Sequence, residues 1–134
     1  MPTWAKPKPL HLYSSGHFGI PLEIDGEKVL TLWDTGAGLT MVDPDFAKAH
    51  PQSIQPVGME AHGTDLISGK PLQITISRLL GAKVDGFDLQ TLLVGLHNLE
   101  LARNIQPQVL IGFNLIHQLD WAIDLRRGQW AATR

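Results

Sequence analysis

Asp34, Thr35 and Gly36 are the residues of this chain best placed to do chemistry. They follow at once on the apolar run Leu30-Thr31-Leu32-Trp33. An acid buried unpaired at the end of such a run costs free energy. Asp34 is therefore either an ordinary surface turn acid or a carboxylate placed there to accept and return a proton. Competing chemistries find little support. There is no cysteine, hence no thiolate nucleophile, thiolate metal site or disulfide framework. The six histidines show no His-Glu-x-x-His or other zinc spacing, so no metal is expected. Ser14-Ser15-Gly16-His17 reads as a turn, because its serines lack the strand-to-helix context of a nucleophile elbow. Asp65, Asp120 and Asp124 read as surface or turn acids, and none lies in a second Asp-Thr-Gly.

The elements that must carry this acid are short strands. Phe18, Ile20, Leu22 and Ile24 alternate on one face, Asp25-Gly26 makes a tight turn, and Val29 to Trp33 form the return strand. Asp43-Pro44 predicts a helix start, with a carboxylate cap and proline at the first helical position, and His50-Pro51 ends that helix early. Leu72 to Leu79 and Phe87 to Gly95 read as further strands, separated by Gly81 and by Asp85-Gly86. Val109 to Gly112 is an apolar strand ending in glycine, followed by a helical turn or two and a last hairpin about Arg127-Gly128. With Pro2, Pro7 and Pro9, residues 1–16 read as an extended arm and residues 17–134 as a single, mostly β domain, a small barrel or sandwich.

Bulk properties agree. A chain of 134 residues is long enough to bury one core and short for two lobes. Its net charge of −2 gives no electrostatic reason to expect nucleic acid or an acidic membrane as partner. No apolar run approaches a membrane span, and the amino-terminal residues lack the apolar core of a signal peptide. The expectation is a soluble chain, cytoplasmic or periplasmic, with the compartment itself not readable from the sequence.

Asp34-Thr35-Gly36 after an apolar strand, with Leu110-Ile111-Gly112 far downstream opening a helix, resembles the retropepsin-like aspartic proteases, including their bacterial relatives. The resemblance runs from about Gly19 to Trp130 and implies an acid-protease barrel with one lobe per chain, closed by a short helix and a terminal hairpin. It implies an endopeptidase in which two carboxylates sharing one proton activate water and protonate the departing amine, because like charges in contact cannot both ionise. Only one Asp-Thr-Gly is present, so the resemblance implies a homodimer with Asp34 of each subunit at the twofold axis. Thr35 would bond across the axis. Gly36 would let backbone approach the acid, and Gly112 would pack beside that loop. The partners implied are a second copy and a peptide or protein substrate, with no cofactor, no metal and no nucleic acid.

Between the acid loop and the middle strands the family places a β-hairpin flap. Here the candidate is Val57 to Ile74, in which Ala61-His62-Gly63 resembles the Ala-x-Gly of bacterial relatives, Gly63 suits a turn, and Thr64 follows. His62 by itself reads as a solvent-exposed loop histidine. Two residues depart from the family pattern. Ala37 stands where many members have serine or threonine, and it cannot donate to the carboxylate, so the pair should hold its proton to higher pH. Trp33 replaces a smaller aliphatic residue beneath the acid. Trp121 and Trp130 read as core or interface residues, and by the resemblance both termini would interleave into an intersubunit sheet that buries Trp130. The alternative from another class is a peptide-binding or scaffolding module on the same fold, which would have no physical need for an acid at position 34.

Overall fold

The computed structural model describes residues 4–64, 69–99 and 106–134. The arm contributes two short strands, β1 (Lys8–Pro9) and β2 (His11–Leu12). There follow β3 (Phe18–Gly19), β4 (Leu22–Ile24), β5 (Glu27–Val29), β6 (Thr31–Trp33) and β7 (Thr40–Val42). Helix α1 (Pro44–Ala49) leads into the two longest strands, β8 (Ile54–Thr64) and β9 (Pro71–Leu79). The remainder is β10 (Lys83–Val84), β11 (Phe87–Asp88), β12 (Leu92–Leu96), β13 (Val109–Ile111), α2 (Phe113–Ile116), β14 (Asp120–Asp124) and β15 (Gln129–Thr133). The protein is mostly β, as the strand and turn signals predict. No helix among the described residues is long and apolar enough to cross a membrane.

Local rules account for the small elements. The β4–β5 hairpin turns through Asp25 (φ 54°) and Gly26 (φ 72°), and the β10–β11 hairpin through Asp85 (φ 49°) and Gly86 (φ 80°). Two successive positive φ values are what the right-handed twist of a two-residue hairpin demands. Helix α1 is capped by the Asp43 carboxylate, which accepts from the amides of Asp45 and Phe46, with Pro44 at its first position.

The return strand read from Val29 to Trp33 is divided. Gln108 interrupts it, its Oε1 accepting from the Leu30 amide at 3.1 Å and its own amide donating to the Leu30 carbonyl at 2.8 Å. The chain thereby leaves β4 and pairs in parallel with β13, Leu32 opposite Leu110 and Trp33 opposite Ile111. Buried Thr31 fixes the crossover, since its hydroxyl donates to the Ile20 carbonyl and accepts from the Ile20 amide. The strand read from Phe87 to Gly95 is divided likewise, into β11 and β12, where the Leu89 amide turns to the Ala82 carbonyl.

Six strands in the order β6-β13-β7-β12-β9-β8 form the sheet that holds the acid loop at one edge and the long β8–β9 hairpin at the other. One face packs on the main core, built from Ile20, Leu22, Ile24, Val42, Leu79, Val94, Val109, Ile111 and Leu115. A smaller apolar cluster of Leu32, Leu99 and Leu110 lies apart from it. Of the two readings of Trp130, core or interface, the single chain shows the core one. The arm strand β1 pairs with β15 inside one chain, Lys8 opposite Trp130, and Trp130 is 2% exposed within that chain. Ala131, Ala132 and Thr133 are buried beside it, so β15 belongs to the core of the single chain.

Candidate active site

Asp34 stands where the parallel ladder of β6 and β13 ends. Its amide donates to the Ile111 carbonyl at 3.0 Å, continuing the ladder by one residue. Side chains alternate along such a strand. Thr31 and Trp33 turn toward the main core and Leu32 toward the small cluster, so Asp34 projects on the Leu32 side. The Gly36 amide donates to Asp34 Oδ1 at 2.9 Å and the Ala37 amide to the Asp34 carbonyl at 3.3 Å. Among the described residues nothing donates to Asp34 Oδ2, and the Thr35 hydroxyl has no partner. Thr35 and Gly36 are exposed. Both sequence-level expectations for the loop glycines have a geometric basis. A Cβ on Gly36 would lie 3.2 Å from Asp34 Oδ1, and one on Gly112 only 2.6 Å from the Leu39 carbonyl carbon.

The helix beginning after Gly112 is bonded directly to the acid loop. The Phe113 amide donates to the Ala37 carbonyl at 2.7 Å and the Asn114 amide to the Gly38 carbonyl at 3.2 Å. Asn114, which the sequence did not single out, anchors the helix behind this loop. Its Oδ1 accepts from the amide and hydroxyl of Thr40 at 2.9 and 2.7 Å, and its Nδ2 donates to the Leu93 carbonyl at 2.7 Å. The Thr40 hydroxyl in turn accepts from the Gly112 amide at 3.1 Å. One side chain thus ties α2 to β7 and β12 directly behind the loop.

Trp33 is accommodated by other aromatic rings. It stacks on Phe18, with ring centroids 5.8 Å apart, and meets Trp121 edge-on at 4.9 Å. Trp121 donates from its indole nitrogen to the Ile116 carbonyl and lies beside Trp130. Ala37 packs against the small cluster of Leu32, Leu99 and Leu110, together with Met41 and Tyr13. Tyr13 was not expected at this position. Its hydroxyl donates to the Thr31 carbonyl at 2.5 Å, and burial pushes that hydroxyl above the usual phenol range, so it is a neutral donor at ordinary pH.

The hairpin expected between the acid loop and the middle strands is present as β8 and β9, and its tip, with Asp65, lies outside the described residues. Ala61, His62, Gly63 and Thr64 lie in β8, opposite Ile74, Gln73, Leu72 and Pro71. Gly63 is therefore extended ladder and not a turn residue. The glycine with positive φ in this strand is Gly58 (φ 73°), at a bulge between Pro56 and Met59. Ile74 leans back over Gly95, where an added Cβ would lie 2.6 Å from Ile74 Cγ2 and 2.7 Å from Met41 Sδ. Ile74 and Met41 thus meet on one face of the sheet over Gly95. Among the described residues no three His, Asp or Glu side chains gather as a metal site would require.

This architecture is that of known structures. A retropepsin-like aspartic protease from Rickettsia conorii is similar over 99% of this chain and 97% of its own, with a TM-score of 0.63 and 14% sequence identity. The retroviral protease-like domain of Ddi1 from Leishmania major aligns over 80% of each chain, with a TM-score of 0.47 and 15% identity. No protein-family model and no curated protein sequence matches the chain. At the identity of the Rickettsia protein the likeness concerns the fold: this chain has the retropepsin-like fold.

Proposed function

We propose that the chain is an aspartic endopeptidase that works as a homodimer. The observation that carries this reading is the acid loop itself: Asp34 at the end of the β6–β13 ladder, one carboxylate oxygen held by the Gly36 amide, the other without a donor among the described residues. In the dimer the two Asp34 carboxylates meet at the axis and share one proton. The ionised one takes a proton from a water held between them as that water attacks the peptide carbonyl. The protonated one hydrogen-bonds the carbonyl oxygen and stabilises the charge developing there. Collapse of the tetrahedral intermediate then delivers a proton to the amine, and the C–N bond breaks. Thr35, exposed and without a partner among the described residues of one chain, would bond across the axis. The β8–β9 hairpin supplies extended backbone with which a peptide strand can pair.

Ala37 offers no hydroxyl to the ionised form, so the alkaline limb of kcat/KM should fall by up to about one pH unit in Ala37→Ser. The reading is tested with Asp34→Asn, which keeps the shape of the acid but can neither accept nor carry the proton. That variant should fold, sediment as the native protein does and cleave no peptide. Ordinary turnover by it would remove the aspartic mechanism.

A further inference from the structure

The base of the β8–β9 hairpin is tied to a turn of another sheet. β8 is the outer strand of the six-stranded sheet, beside β9. From Thr75 to Leu79 β9 is backed by β12, and beyond that its residues Pro71 to Ile74 pair with β8 alone among the described residues. Where β8 begins, the Ser53 and Ile54 amides donate to the His50 carbonyl at 3.2 and 3.0 Å, and the Leu80 amide donates to the Ser53 carbonyl at 2.8 Å. The end of α1, the start of β8 and the end of β9 thereby form one junction. Asp25 reaches it from the β4–β5 turn, which lies in the four-stranded sheet. The Ser53 hydroxyl donates to Asp25 Oδ1, and His50 Nδ1 lies 2.7 Å from Asp25 Oδ2. Across the same ring, His50 Nε2 is 3.4 Å from Glu27 Oε2, and Phe46 lies against it with ring centroids 4.2 Å apart. Ser53 is 7% exposed, so its hydroxyl would find little water in place of the carboxylate.

We propose that Asp25 is a positioning residue: by holding Ser53 and His50 together it fixes the angle at which the β8–β9 hairpin is presented to a peptide, and so sets substrate affinity and not the chemical step. The proposal rests on the reading of Asp34 as the catalytic acid and of the hairpin as the strand with which a peptide pairs. The hairpin is a lever. At about 3.3 Å per residue Thr64 stands roughly 30 Å from Ile54, so a rotation of about 5° at the base carries it about 3 Å, the length of a backbone hydrogen bond. Among the described residues Asp25 bonds no part of the acid loop, where the Gly36 amide holds Asp34. Loosening the base therefore leaves Asp34 in place.

Asp25→Gly removes the carboxylate and keeps the turn, because glycine takes the φ of 54° without strain. Ser53→Ala removes one donor. Val84→Ala is the control, since it weakens the four-stranded sheet from its buried side and leaves the three tied side chains intact. The chain has no cysteine, so nitroxides at His62→Cys and Asp120→Cys, in labelled chains diluted with unlabelled ones, report the hairpin's angle without turnover. In Asp25→Gly and in Ser53→Ala their distance distribution should broaden by about 3 Å or more, and in Val84→Ala it should match wild type. With the best-cleaved member of a hexapeptide library, KM in Asp25→Gly should rise about tenfold, the loss of one or two hairpin–peptide hydrogen bonds, while kcat stays within about twofold. The double variant should match Asp25→Gly alone, because both changes act on one carboxylate. Distances in Asp25→Gly that coincide with wild type, or an equal broadening in Val84→Ala, overturn the anchor. A broadened hairpin with KM unmoved, or with kcat falling instead, overturns its role in peptide binding. Broadening without turnover of any peptide by wild-type protein would leave the anchor standing and remove the peptidase.

Discussion

Replacing Asn114 by alanine isolates the clamp behind the acid loop. The side chain makes three hydrogen bonds, two to Thr40 and one to the Leu93 carbonyl. Thr40 is 0% exposed, so in Asn114→Ala its amide is left buried and unpaired, which costs about 1–3 kcal/mol. Its hydroxyl can turn to other acceptors, losing about 1 kcal/mol or less, and water can reach the Leu93 carbonyl, whose loss is about 0.5 kcal/mol. The sum is about 3 kcal/mol, which in a domain of this size corresponds to a fall in Tm of roughly 10 °C. Asn114→Asp keeps the acceptor for both Thr40 groups but turns a carboxylate oxygen toward the Leu93 carbonyl, acceptor against acceptor, so it should recover only part of the loss. The assay is urea and thermal unfolding at one fixed protein concentration, because the Tm of a chain that self-associates depends on concentration. The urea m-value should stay constant while the midpoint moves. An alanine variant within about 0.5 kcal/mol of wild type, the range of a surface substitution, would refute the clamp. So would an aspartate variant as damaged as the alanine one.

Gly112→Ala should cost about 1–3 kcal/mol or more in the same unfolding assay, since its Cβ would lie 2.6 Å from backbone that is itself held by the clamp. Gly36→Ala should cost less in stability, because the close neighbour of its Cβ among the described residues is the Asp34 carboxylate at 3.2 Å, but more in kcat by displacing that group. Asp25 is held below the usual carboxylate range by hydrogen bonds from Ser53 and then from His50. A carboxylate whose folded pKa is depressed stabilises fully above its unfolded value, about pH 4, and loses that contribution as pH falls through the lower folded value. Asp25→Asn should therefore flatten the stability profile below about pH 4, as read by unfolding midpoints across pH, with little slope removed near neutrality.

Much of this architecture was legible because it rests on short-range rules. Asp25-Gly26, Asp43-Pro44 and Arg127-Gly128 declare their turns and cap within a few residues. The acid loop and Leu110-Ile111-Gly112 declare themselves through residue types that few other contexts require. What escaped depends on side chains meeting across the sequence. Gln108 divides the strand at Leu30, Asn114 reaches Thr40, and Tyr13 reaches Thr31, none of them marked by a local pattern. Gly63 was read as a turn residue because glycine permits positive φ, but permission is not requirement. The bulge took Gly58 instead, and Gly63 stayed in the ladder. Trp130 reads as a core or interface residue, and the arm strand β1 and its neighbours bury it in the core of the chain. Deleting Gln129 to Arg134 would consequently remove core residues and unfold the chain, so loss of dimer in that truncation would say nothing about the interface.

The central claim is that catalysis needs two Asp34 carboxylates, one from each subunit. Wild-type and Asp34→Asn chains mixed at constant total concentration, and left to exchange subunits, test it directly. Activity should follow the square of the wild-type fraction, so that an equal mixture retains about a quarter of the full rate, because random pairing makes only that share of dimers wild type on both sides. Activity that instead falls in proportion to the wild-type fraction, about a half at equal mixing, would mean that each chain acts with its own Asp34 alone, and would contradict the account.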